Sequence, residues 1–311
     1  MQTDEIKNVP LVSIVMCTYN GYGYLKEQLD SLCKQTYPSI EIIICDDRST
    51  DNSYTLLEQY AAADKRISLY QNESNLGYAL NFTRACRHAK GTYIAIADQD
   101  DVWHPDKIKN IIERWEKDVP LMYCNSVQFK GDTIPYDSVP NPGYRRFEGQ
   151  DSRKLAIYNT ISGHALIAKK EFLENHLPFP DGLFYDWWLG VIAACRGGVG
   201  YLHETLVFQR LHGTNISVGN GFDPKEKKYK PLFNKMINDH LAAFAETPGM
   251  PGIHILFYKK LSVLWANAMQ KKFSWKLFFF LIMNRTIIFW HRKRKIGFIS
   301  HVKHSYRLTR N

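Results

Sequence analysis

The chain has 311 residues, 45% of them hydrophobic and 23% charged, which excludes a disordered chain and allows one large domain or two ordinary ones. Six cysteines lie scattered at positions 17, 33, 45, 86, 124 and 195 without a CxxC pair, against a disulfide framework and for a reducing compartment. The net charge of +9 is uneven: residues 222–311 hold 18 Lys/Arg and 4 Asp/Glu, whereas residues 1–221 hold 22 and 27.

The polar stretch Met1–Pro10 has no apolar signal segment, so a cytoplasmic protein is expected. Leu11–Cys17 reads as a first buried strand, broken by Thr18-Tyr19-Asn20-Gly21. A helix follows with Leu25, Leu29 and Leu32 on one stripe, stopping before Pro38. Glu41–Cys45 is a second strand ending in Asp46-Asp47, and Ser49, Thr50 and Asp51 are good helix-start residues. The next helix carries Leu56, Leu57 and Tyr60. Ile67–Tyr70 is a short third strand, Asn75-Leu76-Gly77 a turn, and Leu80–His88 a helix. Tyr93–Ala97 is a fourth apolar strand that runs into Asp98-Gln99-Asp100-Asp101. Pro105 suits the first position of a helix whose apolar face is Ile108, Ile111, Ile112 and Trp115.

Alternating strands and helices, with strands apolar throughout, predict an α/β fold: a Rossmann-like, mainly parallel sheet covered by helices on both faces. Ligands in such sheets bind beyond the carboxyl ends of the strands. Three strand ends here carry Thr18-Tyr19-Asn20, Asp46-Asp47 and the Asp98–Asp101 cluster. Clustered carboxylates repel one another, and a hard divalent cation, Mg2+ or Mn2+, would relieve that repulsion. No GxGxxG follows the first strand and no GxxxxGK[ST] occurs, which argues against dinucleotide oxidoreductases and P-loop enzymes. An acidic cation site suited to a diphosphate remains.

Four ordered stretches, VSIVMCTYN (12–20), EIIICDDRSTD (41–51), Asn75-Leu76-Gly77 and GTYIAIADQDD (91–101), resemble the nucleotide-binding half of family-two glycosyltransferases, which have the GT-A fold. The resemblance covers residues 11–125, weakens over 126–217 and is absent beyond about 222. It implies that Thr18, Tyr19, Asn20 and Asp47 hold the nucleoside. It also implies that Asp98, Asp100 and Asp101 form the acidic region for metal and sugar-diphosphate, with Asp101 the first choice for direct metal contact. Gln99 stands where the family often has a small residue.

Residues 126–160 are rich in Gly and Pro and read as a loop flanking the acceptor. Ser162–Ile167 reads as a strand entry, in which Gly163 permits close approach and His164 is a candidate sugar contact. Phe184–Gly190 places Asp186 beside Trp187 and Trp188; aromatic faces suit sugars, and the family resemblance puts Asp186 at the place of the catalytic base of inverting members. Leu206–Asn215 reads as a strand ending in Arg210, a candidate diphosphate clamp, and His212, a candidate metal ligand with Asp100 and Asp101.

The expected division is a catalytic domain over 1–221 (nucleotide half about 1–125, acceptor half about 126–221) and a basic helical region over 222–311. Within the latter, Ile253–Met269 reads as helix. Leu277–Trp290 is apolar but too short for an ordinary span, and His291–Lys295 is basic, a pattern that suits a helix lying on an anionic membrane. No nucleic-acid motif accompanies the charge, so no nucleic-acid partner is expected. The resulting expectation is an inverting, metal-dependent glycosyltransferase, peripheral on the inner face of the cell membrane. It would move a sugar from a dTDP- or UDP-sugar to a lipid-linked saccharide in polysaccharide synthesis. QDDVW and YDWWLG are similar to stretches of bacterial rhamnosyltransferases, which points to rhamnose. The rivals are a sugar-nucleotide pyrophosphorylase, although Thr18–Gly23 lacks the basic residue its phosphate loop would need, and a non-catalytic scaffold.

Overall fold

A computed structural model describes residues 9–213, 229–292 and 297–310. The expected boundary at 221/222, Thr214 and Asn215, and the basic residues Lys293, Arg294 and Lys295 lie outside the described residues.

Strands β1 (Val12–Thr18), β2 (Ile40–Asp46), β3 (Ile67–Gln71) and β4 (Tyr93–Ala97) alternate with helices α1 (Tyr22–Cys33), α2 (Ser53–Ala63) and α3 (Tyr78–His88). These four strands pair in parallel around β1. Side chains alternate across a strand, so β1 sends Val12, Ile14 and Met16 into one apolar layer with α1, and Val15 into the other with α3. Burial on both faces is why these strands read as unbroken apolar runs.

The second half departs from simple parallel winding. The two-residue strand β5 (Val102–Trp103) follows the acidic turn, then come α4 (Lys107–Glu113), β6 (Leu121–Phe129), β7 (Leu166–Lys169), α5 (Lys170–Glu174), α6 (Tyr185–Cys195) and β8 (Val199–Arg210). The eight strands lie in the order β3-β2-β1-β4-β7-β6-β8-β5. Strand β7 joins the halves by pairing antiparallel to both β4 and β6, β8 runs parallel to β6, and β5 pairs antiparallel to β8. Residues 126–129, expected in a loop, complete β6. Helix α4 starts at Lys107 rather than Pro105, because Pro105 and Asp106 form a turn ahead of it.

Helices α7 (Lys230–Ala245), α8 (Gly252–Met269), α9 (Trp275–Met283), α10 (Arg285–Ile288) and α11 (Gly297–Thr309) follow. Leu241, Phe244, Tyr258, Trp265 and Leu277 share one apolar core with Leu155, Trp187 and Leu189. The C-terminal helices therefore pack on the sheet domain. The apolar run expected over 277–290 is two helices interrupted at Asn284.

Candidate active site

The acidic turn sits where β4 ends and β5 begins. Pairing of β5 with β8 (Val102 with Phe208, Trp103 with Val207) carries the end of β8 alongside it. Arg210 then donates its backbone N–H to Asp101 Oδ1 at 3.3 Å, and His212 Nε2 lies 2.7 Å from Asp100 Oδ2. Pairing of β7 with β4 (Ile167 with Ala95) brings in the turn before β7 from the other side. His164 in that turn has Nδ1 3.4 Å from Asp101 Oδ2 and 3.5 Å from Asp98 Oδ2. One ligand atom from each of Asp98, Asp101 and His164 lies within 4.8 Å of the others.

This cluster is electrostatically loaded. Burial pushes Asp101 up to about 7, with Asp98 and Asp100 adding repulsion against the relief from His164 and Arg210. Asp100 is raised by burial and by Asp98, against the pull of His212. Burial disfavours charge on His164, but Asp101 and Asp98 outweigh it and raise its pKa. Asp101 Oδ2 is buried without a hydrogen-bond partner. Two carboxylates and an imidazole, one of their oxygens left unsatisfied, fit a divalent cation of the Mg2+ or Mn2+ kind.

Asp186 stands in the first turn of α6. Its Oδ2 accepts from Gly163 N at 3.1 Å and its Oδ1 from Trp187 N at 2.6 Å. Surrounding protein strips most of its hydration and pushes its pKa up to about 6, against the two backbone hydrogen bonds. It keeps some solvent access. The consecutive residues Gly163 and His164 thus tie Asp186 to the acidic cluster. Gly163 is required there, since a Cβ would sit 2.3 Å from the Tyr185 hydroxyl. The close approach expected at Gly163 is made by a side chain of the protein.

At the nucleoside end the expected residues gather, several already engaged. Thr18 Oγ1 donates to Asp46 at 3.0 Å, and Asp47 accepts from Asn72 Nδ2, Leu76 N and Gly77 N, holding the Asn75-Leu76-Gly77 turn. Asn20 adopts a left-handed backbone (φ 49°), with its side-chain oxygen accepting from Thr50 N at 2.7 Å. Tyr19 is exposed. Gln99 bridges the N–H and carbonyl of Tyr19 at 2.9 and 3.1 Å, so the residue that departs from the family pattern locks the β1 turn to the acidic turn.

The Arg210 guanidinium bonds Glu27 and the Gly131 carbonyl and lies 4.7 Å from the Phe129 ring centre. Its backbone serves the acidic turn directly. His212 stacks on Tyr24 at 4.2 Å. His164, expected at the sugar, lies among the carboxylates. Trp187 requires correction as a sugar contact: it is buried, donates to the Leu155 carbonyl and stacks on His240 of α7 at 4.5 Å, so its faces belong to the core. Trp188 keeps partial exposure beside His176.

Other functional neighbours were not foreseen. Gln28 donates to the Asp98 carbonyl at 2.8 Å; its place on the Leu25–Leu29–Leu32 stripe was a readable signal, a polar residue on a buried face. Ser126 Oγ lies 2.9 Å from His164 Nε2. Lys107 is fully buried, donates to the His164 carbonyl at 2.8 Å and sits 3.1 Å over the Trp103 ring. Burial lowers its pKa to about 7, with Asp101 and Asp98 pulling the other way. Nothing in its sequence surroundings marked it.

A parallel first half, an antiparallel strand pair carrying basic residues to an acidic turn, and a carboxylate on a facing helix make this a GT-A glycosyltransferase. Solved structures agree on the fold. Staphylococcus aureus TarS in complex with UDP-GlcNAc aligns over 96% of this chain and 90% of its own, with TM-score 0.61 and 16% identity. The mannosyltransferase PcManGT of Pyrobaculum calidifontis, in complex with GDP-Man and Mn2+, aligns over 97% and 86%, with TM-score 0.60 and 17% identity.

The chain belongs to glycosyl transferase family 2, whose profile matches residues 13–175. Among its relatives is the putative teichuronic acid biosynthesis glycosyltransferase TuaG of Bacillus subtilis, 38% identical over 67% of this chain and 82% of the relative. Another is the Escherichia coli UDP-Glc:alpha-D-GlcNAc-diphosphoundecaprenol beta-1,3-glucosyltransferase WfaP, 29% identical over 67% and 80%.

Proposed function

We propose that this glycosyltransferase transfers a sugar from a nucleoside-diphosphate donor to a lipid-linked saccharide, with inversion, in bacterial polysaccharide synthesis. The observation that carries the reading is the Gly163-His164 pair, which holds Asp186 through one residue and Asp98 and Asp101 through the next. Asp186 takes the acceptor hydroxyl proton as the acceptor oxygen bonds to the anomeric carbon. The bond from that carbon to the diphosphate oxygen breaks on the opposite side. A pKa near 6 leaves Asp186 ionised at neutral pH, yet basic enough to accept the proton. Asp98, Asp101 and His164 would hold a divalent cation, with Asp100 and His212 as a neighbouring pair; when bound, the cation compensates charge on the departing diphosphate. Thr18, Tyr19, Asn20 and Asp47 frame the nucleoside, and Arg210 orders the diphosphate side. Polysaccharide synthesis and a diphospholipid acceptor are supported by the names of TuaG and WfaP. A dTDP- or UDP-sugar fits this reading, with rhamnose as one donor sugar to include. The test is the anomeric configuration of the product by proton NMR. Inversion is expected; retention would contradict a single displacement by Asp186.

The same reading places the enzyme on the membrane. No helix among the described residues is long and apolar enough to cross a bilayer. Helix α8 exposes Ile253, Leu256 and Val263, and α9 exposes Trp275, Phe279 and Met283, while Leu277 and Leu281 on the other face of α9 are buried. Exposed Lys259, Lys260, Lys271, Lys272 and Lys276 accompany these stripes. Apolar stripes edged by lysines suit the headgroup boundary of an anionic membrane. Leu256→Glu with Met283→Glu should weaken sedimentation with phosphatidylglycerol vesicles by roughly tenfold or more, since each change replaces insertion by repulsion. Unchanged sedimentation would move the membrane contact elsewhere.

A further inference from the structure

A cavity of about 550 Å³ lies outside the acidic site, between the loop after β6, the first residues of β8 and Trp290. Arg145, Arg146, Lys154 and His203 line it, with Glu148 as the acidic residue of its wall. Arg146 and Lys154 are half-buried. No carboxylate lies within 4.0 Å of Arg145, Arg146 or Lys154 among the described residues. The Arg146 guanidinium lies 3.5 Å from Asn125 Oδ1 and beside the Tyr201 hydroxyl, and Lys154 Nζ lies 5.8 Å from the Trp290 ring centre. Arg145, Arg146 and Lys154 face one carboxylate, Glu148, so the cavity keeps a net positive charge that an anion would neutralise.

A second observation concerns a buried hydroxyl. Tyr201 is 6% exposed and lines the cavity; Arg146 stands beside its hydroxyl, whose proton has no acceptor. Burial pushes that phenol up to about 12, so it remains a proton donor at neutral pH. A buried donor without an acceptor is a cost that a bound acceptor removes.

One strand, β6, serves both the cavity and the acidic cluster. Asn125, which touches Arg146, precedes Ser126, which touches His164. The cavity's far wall is tied to the C-terminal helices, because Arg145 N–H donates to the His291 carbonyl at 2.8 Å and Trp290 Nε1 donates to the Lys154 carbonyl at 2.7 Å.

We propose that this cavity is an acceptor subsite that takes the diphosphate group of a lipid-linked saccharide. The assignment rests on the lipid-linked-acceptor reading above. The Arg146 and Lys154 side chains neutralise the diphosphate, the Tyr201 hydroxyl donates to one of its oxygens, and the sugar end extends toward Asp186. Lipid-linked acceptors are then bound by their diphosphate as well as by their sugar.

Calorimetry of the full chain with inorganic pyrophosphate in EDTA tests the subsite. Arg146→Gln with Lys154→Gln should weaken binding by at least about tenfold, and Tyr201→Phe alone by about tenfold, the loss of one hydrogen bond to a charged group. Unchanged affinity in both would overturn the proposal. If the double variant loses its melting transition, Tyr201→Phe decides. Phosphatidylcholine vesicles doped with farnesyl diphosphate or with phosphatidylglycerol separate the sources. Sensitivity to the substitutions with farnesyl diphosphate alone supports the acceptor assignment. Equal sensitivity with phosphatidylglycerol, or sensitivity with free pyrophosphate only, overturns it. Nucleoside-diphosphate binding by the unaltered chain in Mn2+ is read separately. Its loss would sink the glycosyltransferase mechanism while leaving the pyrophosphate result to judge this cavity.

Discussion

Asp186→Asn is expected to lower kcat by about 10²–10⁴-fold, the range of a positioned general base, while donor binding stays within about twofold. The amide is nearly isosteric and keeps one acceptor for Gly163 N–H or Trp187 N–H, so the fold should hold. What disappears is the carboxylate proposed to receive the acceptor proton. In the unaltered enzyme the same group predicts the acid limb of the pH profile. Its pKa, raised by burial to about 6, means that Asp186 gains a proton and stops acting as a base as the pH falls through about 6. The kcat profile should therefore drop on that side, and the residual activity of Asp186→Asn should lose that limb. A full rate in Asp186→Asn would place the base elsewhere.

The second large effect concerns the cation. Removing divalent ions with EDTA should lower turnover by at least about 10²-fold, with recovery on adding Mn2+ or Mg2+, because charge on the leaving diphosphate then goes uncompensated. Two neighbouring sets are candidates for the ion, Asp98 with Asp101 and His164, and Asp100 with His212, and substitution separates them. His164→Ala removes the nitrogen that lies between Asp98 and Asp101 and should weaken Mn2+ affinity by roughly ten- to a hundredfold. His212→Ala removes the partner of Asp100 and should have the smaller effect. The reverse order would put the ion at Asp100 and His212. Electron paramagnetic resonance of free Mn2+ reads both variants directly. Full turnover in EDTA would remove the cation from the account.

The parallel first half was legible because its strands are buried on both faces. Such strands are apolar throughout, and their ends stand out as the places where the run breaks into Asp46-Asp47 or Asp98–Asp101. Local pattern stopped being informative where long-range pairing places a residue. His164 reaches the acids because Ile167 pairs with Ala95, and His212 because Phe208 pairs with Val102, contacts that no local spacing announces. Trp187 shows a different limit. It adjoins Asp186 in sequence, but successive helical residues are rotated by about 100°, so one faces the site and the other the core. Strand β6 was missed for a related reason: Asn125 and Ser126 interrupt its apolar run at a bulge, and they are the residues that serve Arg146 and His164. Where local pattern and fold disagree, the polar residue has a partner far along the chain, as Gln99 has in Tyr19.

The most direct measurement of the central claim is a thermal-shift panel of nucleoside diphosphates and nucleotide sugars, each with Mn2+, with Mg2+ and with EDTA. Selective binding to the folded chain raises its apparent melting temperature, by a few degrees at about a hundredfold excess over Kd. One nucleotide class is expected to raise the melting temperature only when the cation is present, and Asp101→Asn to abolish the rise while Asp186→Asn preserves it. No response to any nucleotide, or an equal response in EDTA, would contradict that expectation.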